Sequence, residues 1–298
     1  MAEDWDGTRK IIWAKTLDEM ELIGTKMFTV GVPVEADPEF KAYVFAAGVT
    51  HSMGNRSIDG QLRLHREKWI RRFLPNSLQP GSQELLMQQL RAQAIKRVHE
   101  LCNLPLPQSP GPVAAVNVLI RLLSTFRGAL QLIRLGFAFE AEAVIRLGYE
   151  QAAWAYVVAP LDDVNRIEQA SATRAITQLR EILPAAGRIY GRLSNFAHVA
   201  PSTHHRFVSI DDEERVWVQI EVHDATRESL WLLIMLLDAL FAVSEARFHQ
   251  YGIKCTSLDA STGKISPDRA SITLMKEFRN LLPTHVESTL QSWSTQES

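Results

Sequence analysis

Leu230-Trp-Leu-Leu-Ile-Met-Leu-Leu-Asp238-Ala-Leu-Phe-Ala-Val243 is the most hydrophobic stretch of the chain, fourteen residues interrupted only by Asp238. A membrane span needs about 20 such residues, and Glu245, Arg247 and His249 continue the helix into polar sequence. The stretch therefore reads as a central helix of a helical core, apolar on all sides and buried. Asp224 or Thr226 supplies its N-cap.

Working outward from that helix, the period changes just upstream. Val216, Val218, Ile220 and Val222 alternate with Arg215, Trp217, Gln219 and Glu221, and with residues 206–210 they predict a small hairpin turned by Asp211 to Glu214. Before it lie a more polar helix from about Asp162 to Leu183, stopped by Pro184, and an apolar one from about Phe139 to Val158, stopped by Pro160. A further helix begins after Pro112 and is punctuated by Gly136. Its narrow polar stripe of Asn117, Arg121, Ser124 and Gln131 predicts burial on most sides. The last two, joined by a short break, form an antiparallel hairpin.

Leu104-Pro-Leu-Pro-Gln-Ser-Pro-Gly-Pro112 is the proline-dense segment of the chain and the natural boundary before this core. Residues 1–105 read as helical segments separated by breaks at Pro33, Pro38, Met53-Gly-Asn55, Pro75 and Pro80-Gly81, with Ser82 capping a long helix to about Asn103. Residues 253–298 read as a polar tail with one amphipathic helix near Ala270 to Leu282. The expected architecture is all-α: a helical core over 112–252, a β-hairpin insertion at about 206–222, and extra helices at the N-terminus.

Composition narrows the function. Of 298 residues 46% are apolar, enough to fill a core, and 32 basic side chains stand against 34 acidic ones. No global positive field draws in nucleic acid, so any such site is a local patch. Cys102 and Cys255 form no closely spaced metal-ligand pattern and fit a reducing compartment. The opening Met-Ala-Glu-Asp-Trp-Asp lacks the basic and apolar regions of a signal peptide, so a cytoplasmic protein without membrane attachment is expected. No phosphate loop, dinucleotide fingerprint, GxSxG elbow or zinc-finger spacing occurs, and no cofactor is expected.

Four constellations carry candidate chemistry. The first is Tyr190-Gly-Arg192-Leu-Ser194-Asn195-Phe-Ala-His198 at a helix end. Tyr190, Ser194 and His198 share one helical stripe, and Arg188 and Arg192 lie on another. An arginine brought near a histidine suits phosphodiester chemistry: the guanidinium stabilises a pentavalent phosphorane and the imidazole moves the proton. The plain readings are a histidine bonded to helix C-terminal carbonyls and a solvated arginine.

The second is Glu142, Arg146 and Glu150, in four-residue steps on one helix, which either form a solvated ladder or turn inward beside the His198 segment. The third is His198, His204, His205, Asp211, Asp212 and His223. These lack metal-site spacing, so no metal is expected and loop solvation accounts for them. The fourth is Arg63, His65, Arg66, Lys68, Arg71 and Arg72, interleaved with Leu64, Trp69, Ile70 and Phe73. It predicts a basic amphipathic helix that either contacts RNA phosphates or an acidic partner, or is simply solvated.

Arg192 and His198, with five residues between them late in a helical bundle, resemble the HEPN superfamily motif. From Ala114 to about Ala242 the chain also resembles a group of bacterial HEPN-like helical proteins, through Arg146-Leu-Gly-Tyr-Glu150 and Tyr190-Gly-Arg-Leu-Ser194 before His198. The chain departs from the motif at Leu193, where active members often carry a polar residue.

The resemblance implies a HEPN-like bundle and a metal-independent endoribonuclease acting on RNA as a homodimer, in the manner of bacterial toxins and phage-defence effectors. Arg192 and His198 would be catalytic, with Tyr190, Ser194, Asn195, Arg146 and Glu150 in support and Arg63, Arg66, Lys68, Arg71 and Arg72 taking phosphates. Some HEPN domains are inactive, so the other implied reading is a non-catalytic interaction protein, regulated through or regulating a protein partner.

Overall fold

The structure is a computed structural model that describes residues 20–25, 28–33, 36–54, 57–73, 83–197, 208–210, 215–218, 226–259 and 261–282. Mostly helical, the chain divides into two compact units, Met1–Gln79 and Pro80–Ser298.

The larger unit is organised by the apolar helix. Its bounds are Thr226–Phe248 (α9), and every residue from Leu230 to Leu240 is buried. A helix that is hydrophobic all round must be enclosed by other elements. Gln83–Cys102 (α3), Pro110–Arg134 (α4), Ala138–Val158 (α5) and Ala270–Glu277 (α10) pack around it. By length and composition, α4 and the stretch Thr226–Tyr251 are each apolar enough to cross a membrane. Within the second, 89% of the most apolar window is buried inside the protein, so its apolar surface is used in the core.

The α4 helix turns into α5 through a Schellman closure: Gly136 N–H donates to Ile133 and Phe137 N–H to Leu132, with Gly136 at φ +83°. Glycine occupies that left-handed position without steric cost. Further along, Gly148 lets α5 approach α9, since a Cβ there would stand 2.5 Å from Leu236 Cδ2.

The expected polar helix over 162–183 is two helices, Val164–Glu168 (α6) and Ala172–Leu179 (α7). The break has a local cause. Ser171 caps α7 by accepting from Arg174 N–H, and the Ala170 carbonyl turns out of helical bonding to accept from the Trp154 indole at 3.0 Å. Ala186–Ala197 (α8) follows, packing on α5. Val208–Ile210 pairs antiparallel with Val216–Val218, a short hairpin within the expected span.

Two expectations about organisation are corrected. The boundary falls at Gln79/Pro80, not in the proline-dense segment, because α3 places Leu86, Leu90, Ala94 and Leu101 in the same core as α4 and α9. Residues beyond 253 are not merely a polar tail, since Ile253, Leu258, Ile272, Leu274, Met275 and Phe278 also enter that core.

Two buried carboxylates of α9, seven residues and so two turns apart on one face, fasten this segment. Glu245, fully buried, accepts from Arg97 Nη2 at 2.8 Å, Thr256 Oγ1 at 2.8 Å, Ser257 N–H at 2.7 Å and Leu258 N–H at 2.8 Å. Asp238 accepts from Arg269 Nε at 2.9 Å and Ser271 Oγ at 2.7 Å.

In the smaller unit the sequence reading missed a hairpin. Met20–Thr25 (β1) and Phe28–Pro33 (β2) pair antiparallel with Thr25 opposite Phe28. The β-branched residues Thr29, Val30 and Val32 favour strand, but the connection lacks the glycine-bearing dipeptide that advertises a two-residue turn. Pro38–Met53 (α1) and Ile58–Phe73 (α2) complete the unit. Its core joins Ile23, Val32, Phe45 and Trp69, the last two rings meeting edge-on at 5.4 Å.

Two measurements test the fastening. Glu245→Ala leaves Arg97 buried without its carboxylate and is expected to cost about 3–5 kcal/mol, read as a lowered urea midpoint. Glu100→Ala, which removes the half-exposed second partner of Arg97, is expected to cost less than about 1 kcal/mol.

Burial pushes the Asp238 carboxyl above the usual carboxylate range, against the pull of Arg269. An acid whose folded pKa is raised contributes stability that is full below its unfolded value, about 4, and is lost as pH rises through the folded value. Comparing urea midpoints of wild type and Asp238→Asn from pH 4 upward, the difference is expected to move in favour of the variant as pH rises. A constant difference would show that Asp238 does not titrate in this range.

Candidate functional site

The inward face of α8 is set by Ala186, Ile189 and Leu193, all buried at helical spacing. Tyr190 then lies on one flank of that face and Arg192 on the other. Leu193 is fully buried between them as a core side chain.

On the first flank, α8 meets the polar stripe of α5. Glu142 is completely buried and accepts from Ser229 Oγ of α9 at 3.2 Å. One turn on, the stripe reaches the surface, where Arg146 and Glu150 are about one-fifth exposed. The Tyr190 hydroxyl sits between them. It donates to Glu150 Oε1 at 2.6 Å and accepts from Arg146 Nη2 at 3.1 Å and Nε at 3.3 Å.

Arg146 and Glu150 also pair directly at 3.2 Å, and the Arg146 guanidinium lies 5.3 Å from the Tyr190 ring centre. The Tyr190 hydroxyl, ahead of Glu150, holds the Arg146 proton above the usual arginine range. The stripe combines features of both sequence readings: Arg146 and Glu150 pair along the helix and also turn toward Tyr190 of α8, while His198 lies outside the described residues. The structure brings three of the expected supporting residues into one cluster.

On the second flank, Arg192 forms an ion pair with Glu228 in the first turn of α9, and its guanidinium lies 5.7 Å from the Trp231 ring centre. Sequence reasoning did not single out Glu228 or Trp231. An acid in the first turn of a helix reads as macrodipole compensation, and a tryptophan within an apolar run reads as core. Ser194 is half-buried and Asn195 exposed. His198 lies outside the described residues.

The remaining candidates stand as follows. His204, His205, Asp211, Asp212 and His223 also lie outside the described residues, and among the described residues no group of three or more His, Cys, Asp or Glu could hold a metal ion. Cys102 and Cys255 are free thiols. In the smaller unit, α2 exposes Arg63, Arg66 and Lys68 and buries Trp69. Arg66 bridges to Glu39 at 2.5 Å with both side chains well exposed, a pair of small energetic weight. Arg71 and Arg72 fall in the last turn of α2, their side chains outside the described set.

Tyr190→Phe deletes one donor and one acceptor from the partly buried cluster, and a loss of about 0.5–1.5 kcal/mol is expected. Glu150→Gln keeps an acceptor for the hydroxyl but removes the charge facing Arg146, with an expected loss under about 1 kcal/mol. Thermal unfolding checks both; a Tyr190→Phe protein as stable as wild type would mean that the hydroxyl holds nothing in place.

Compared with protein-family models, with curated proteins and with solved structures, the chain matches none.

Proposed function

We propose that this chain is a metal-independent endoribonuclease of the HEPN type. The observation that carries the reading is the meeting of Arg146 and Glu150 with Tyr190. Two of the segments that carry the resemblance, 146–150 and 190–194, are far apart in sequence and supply one polar cluster where α5 meets α8. Polar groups gathered at a largely buried helix contact can position catalytic side chains as well as hold two helices together.

In the proposed reaction His198 takes the proton of the ribose 2′-hydroxyl, whose oxygen attacks the adjacent phosphorus. The bond to the 5′-oxygen breaks, and that oxygen receives a proton from an imidazolium. The products are a 2′,3′-cyclic phosphate and a 5′-hydroxyl, with no change of oxidation state and no water consumed. Arg192 neutralises the phosphorane, while Tyr190, Ser194 and Asn195 position the chain around it. A C2 homodimer would bring the groups of both copies to one scissile bond. Such an enzyme fits a toxin or phage-defence effector of the bacterial cytoplasm.

A second reading has an observation of its own. Arg192 is engaged by Glu228 and Trp231, and Leu193 is committed to the core. Both features suit a non-catalytic bundle that binds a protein partner or regulator.

Incubation of the purified full chain with total RNA in EDTA separates the two. The enzyme is expected to cut RNA but not DNA, to leave 2′,3′-cyclic ends, and to slow by roughly 10² to 10⁴ in His198→Ala, with a comparable loss in Arg192→Ala. Light scattering of the same preparation is expected to give a dimer mass. Cleavage that survives His198→Ala, or that vanishes from wild type in EDTA, would remove this mechanism.

A further inference from the structure

The smaller unit carries the two exposed aromatic side chains among the described residues, Phe40 at 51% and Tyr43 at 48%. They are three residues apart on α1 and so share a face. The opposite face of the helix is occupied: Ala42, Phe45 and Ala46 are buried against β2 and α2. Neither aromatic is needed to fill the unit's core, yet each leaves about half of its surface in water.

The helix packed on α1 is basic. The α2 helix has five basic residues, Arg63, Arg66, Lys68, Arg71 and Arg72, against the acids Asp59 and Glu67, a net charge of +3 from five minus two. Arg66 is tied to Glu39, the residue immediately before Phe40, so one turn of α2 reaches the start of the helix that presents the aromatic pair. Arg63 is exposed one turn before Arg66.

We infer that this face of the smaller unit is a docking surface for unpaired RNA. Aromatic faces accept the flat faces of bases, which a duplex hides by stacking, and stacking tolerates any base. Neighbouring arginines and lysine meet phosphates without reading sequence. An apolar protein partner would match the rings but not the positive helix at their side, and a duplex would match the helix but not the rings. The choice of RNA over DNA rests on the endoribonuclease reading above; the selection of single strands rests on Phe40 and Tyr43 alone.

The test uses the full chain in EDTA and a fluorescent 2′-O-methyl oligonucleotide of roughly twelve residues, which lacks the free hydroxyl that cleavage requires. Its anisotropy is measured single-stranded and annealed to its complement. Single strand is expected to bind at least about tenfold tighter than duplex, and Phe40→Ala with Tyr43→Ala to remove that advantage without changing circular dichroism or melting. Phe40→Trp is expected to keep or raise the affinity. Arg63→Gln with Lys68→Gln is expected instead to reduce the dependence of log affinity on log salt by about one.

Duplex bound as tightly as single strand, an alanine pair that binds like wild type, or no binding at all would overturn the inference. Aromatic-dependent binding together with uncut natural RNA would leave this surface standing and remove the endoribonuclease reading. Cleavage dependent on His198, with affinity unaffected by the alanine pair, would do the reverse.

Discussion

Taking a carboxylate out of water costs several kcal/mol, and only well-placed donors offset it. The larger unit meets this constraint twice on its central helix. Glu245 has four donors, among them two backbone amides of the segment just after the helix, and Asp238 has the Arg269 guanidinium and a serine hydroxyl. An all-leucine helix would be buried as readily but could slide or rotate within its shell, because apolar contacts are not directional. The two carboxylates fix the face of α9 that meets both Arg97 of α3 and the C-terminal segment. The α8 and α5 contacts that build the candidate site are in turn laid against a helix whose rotation is already set.

Much of this was legible because the deciding residues are local. Leu230 to Val243 states its own burial, Gly136 its own turn, and Pro160 and Pro184 their own stops. What the sequence could not disclose was pairing at a distance. Arg97 and Glu245 are 148 residues apart and each looks like an ordinary surface charge on a helix. For that reason the sequence alone separates α3 from the core at the proline-dense segment and reads the residues after 253 as a polar tail, whereas both belong to the core. The hairpin of the smaller unit escaped for a different reason. Its strands are short, its turn lacks the usual glycine signal, and the flanking prolines read equally well as helix breaks.

For the candidate site, helical spacing placed Tyr190 and Arg192 on separate stripes of α8, and the structure keeps them there. It could not tell which neighbour each stripe meets. Tyr190 finds Arg146 and Glu150, residues that the sequence had already grouped. Arg192 finds Glu228 and Trp231, neither of which the sequence singles out. A carboxylate seated on an arginine occupies the place that a phosphate would need, so the same contact that orients Arg192 also competes with any anionic ligand for it.

The order in which the parts of the core are made differs from the order in which they fit. Helices α3, α4 and α5 leave the ribosome with their apolar faces ready, but the helix that those faces enclose begins only at Thr226, and the partners of its carboxylates extend to Ser271. Synthesis proceeds at about 5–20 residues per second, so those faces stay open for several seconds or longer, and the contacts that close them are of high sequence separation. The nascent chain thus exposes apolar helix faces until residues through Ser271 are available, and a ribosome that stalls within α9 would release an open shell, not a smaller folded bundle.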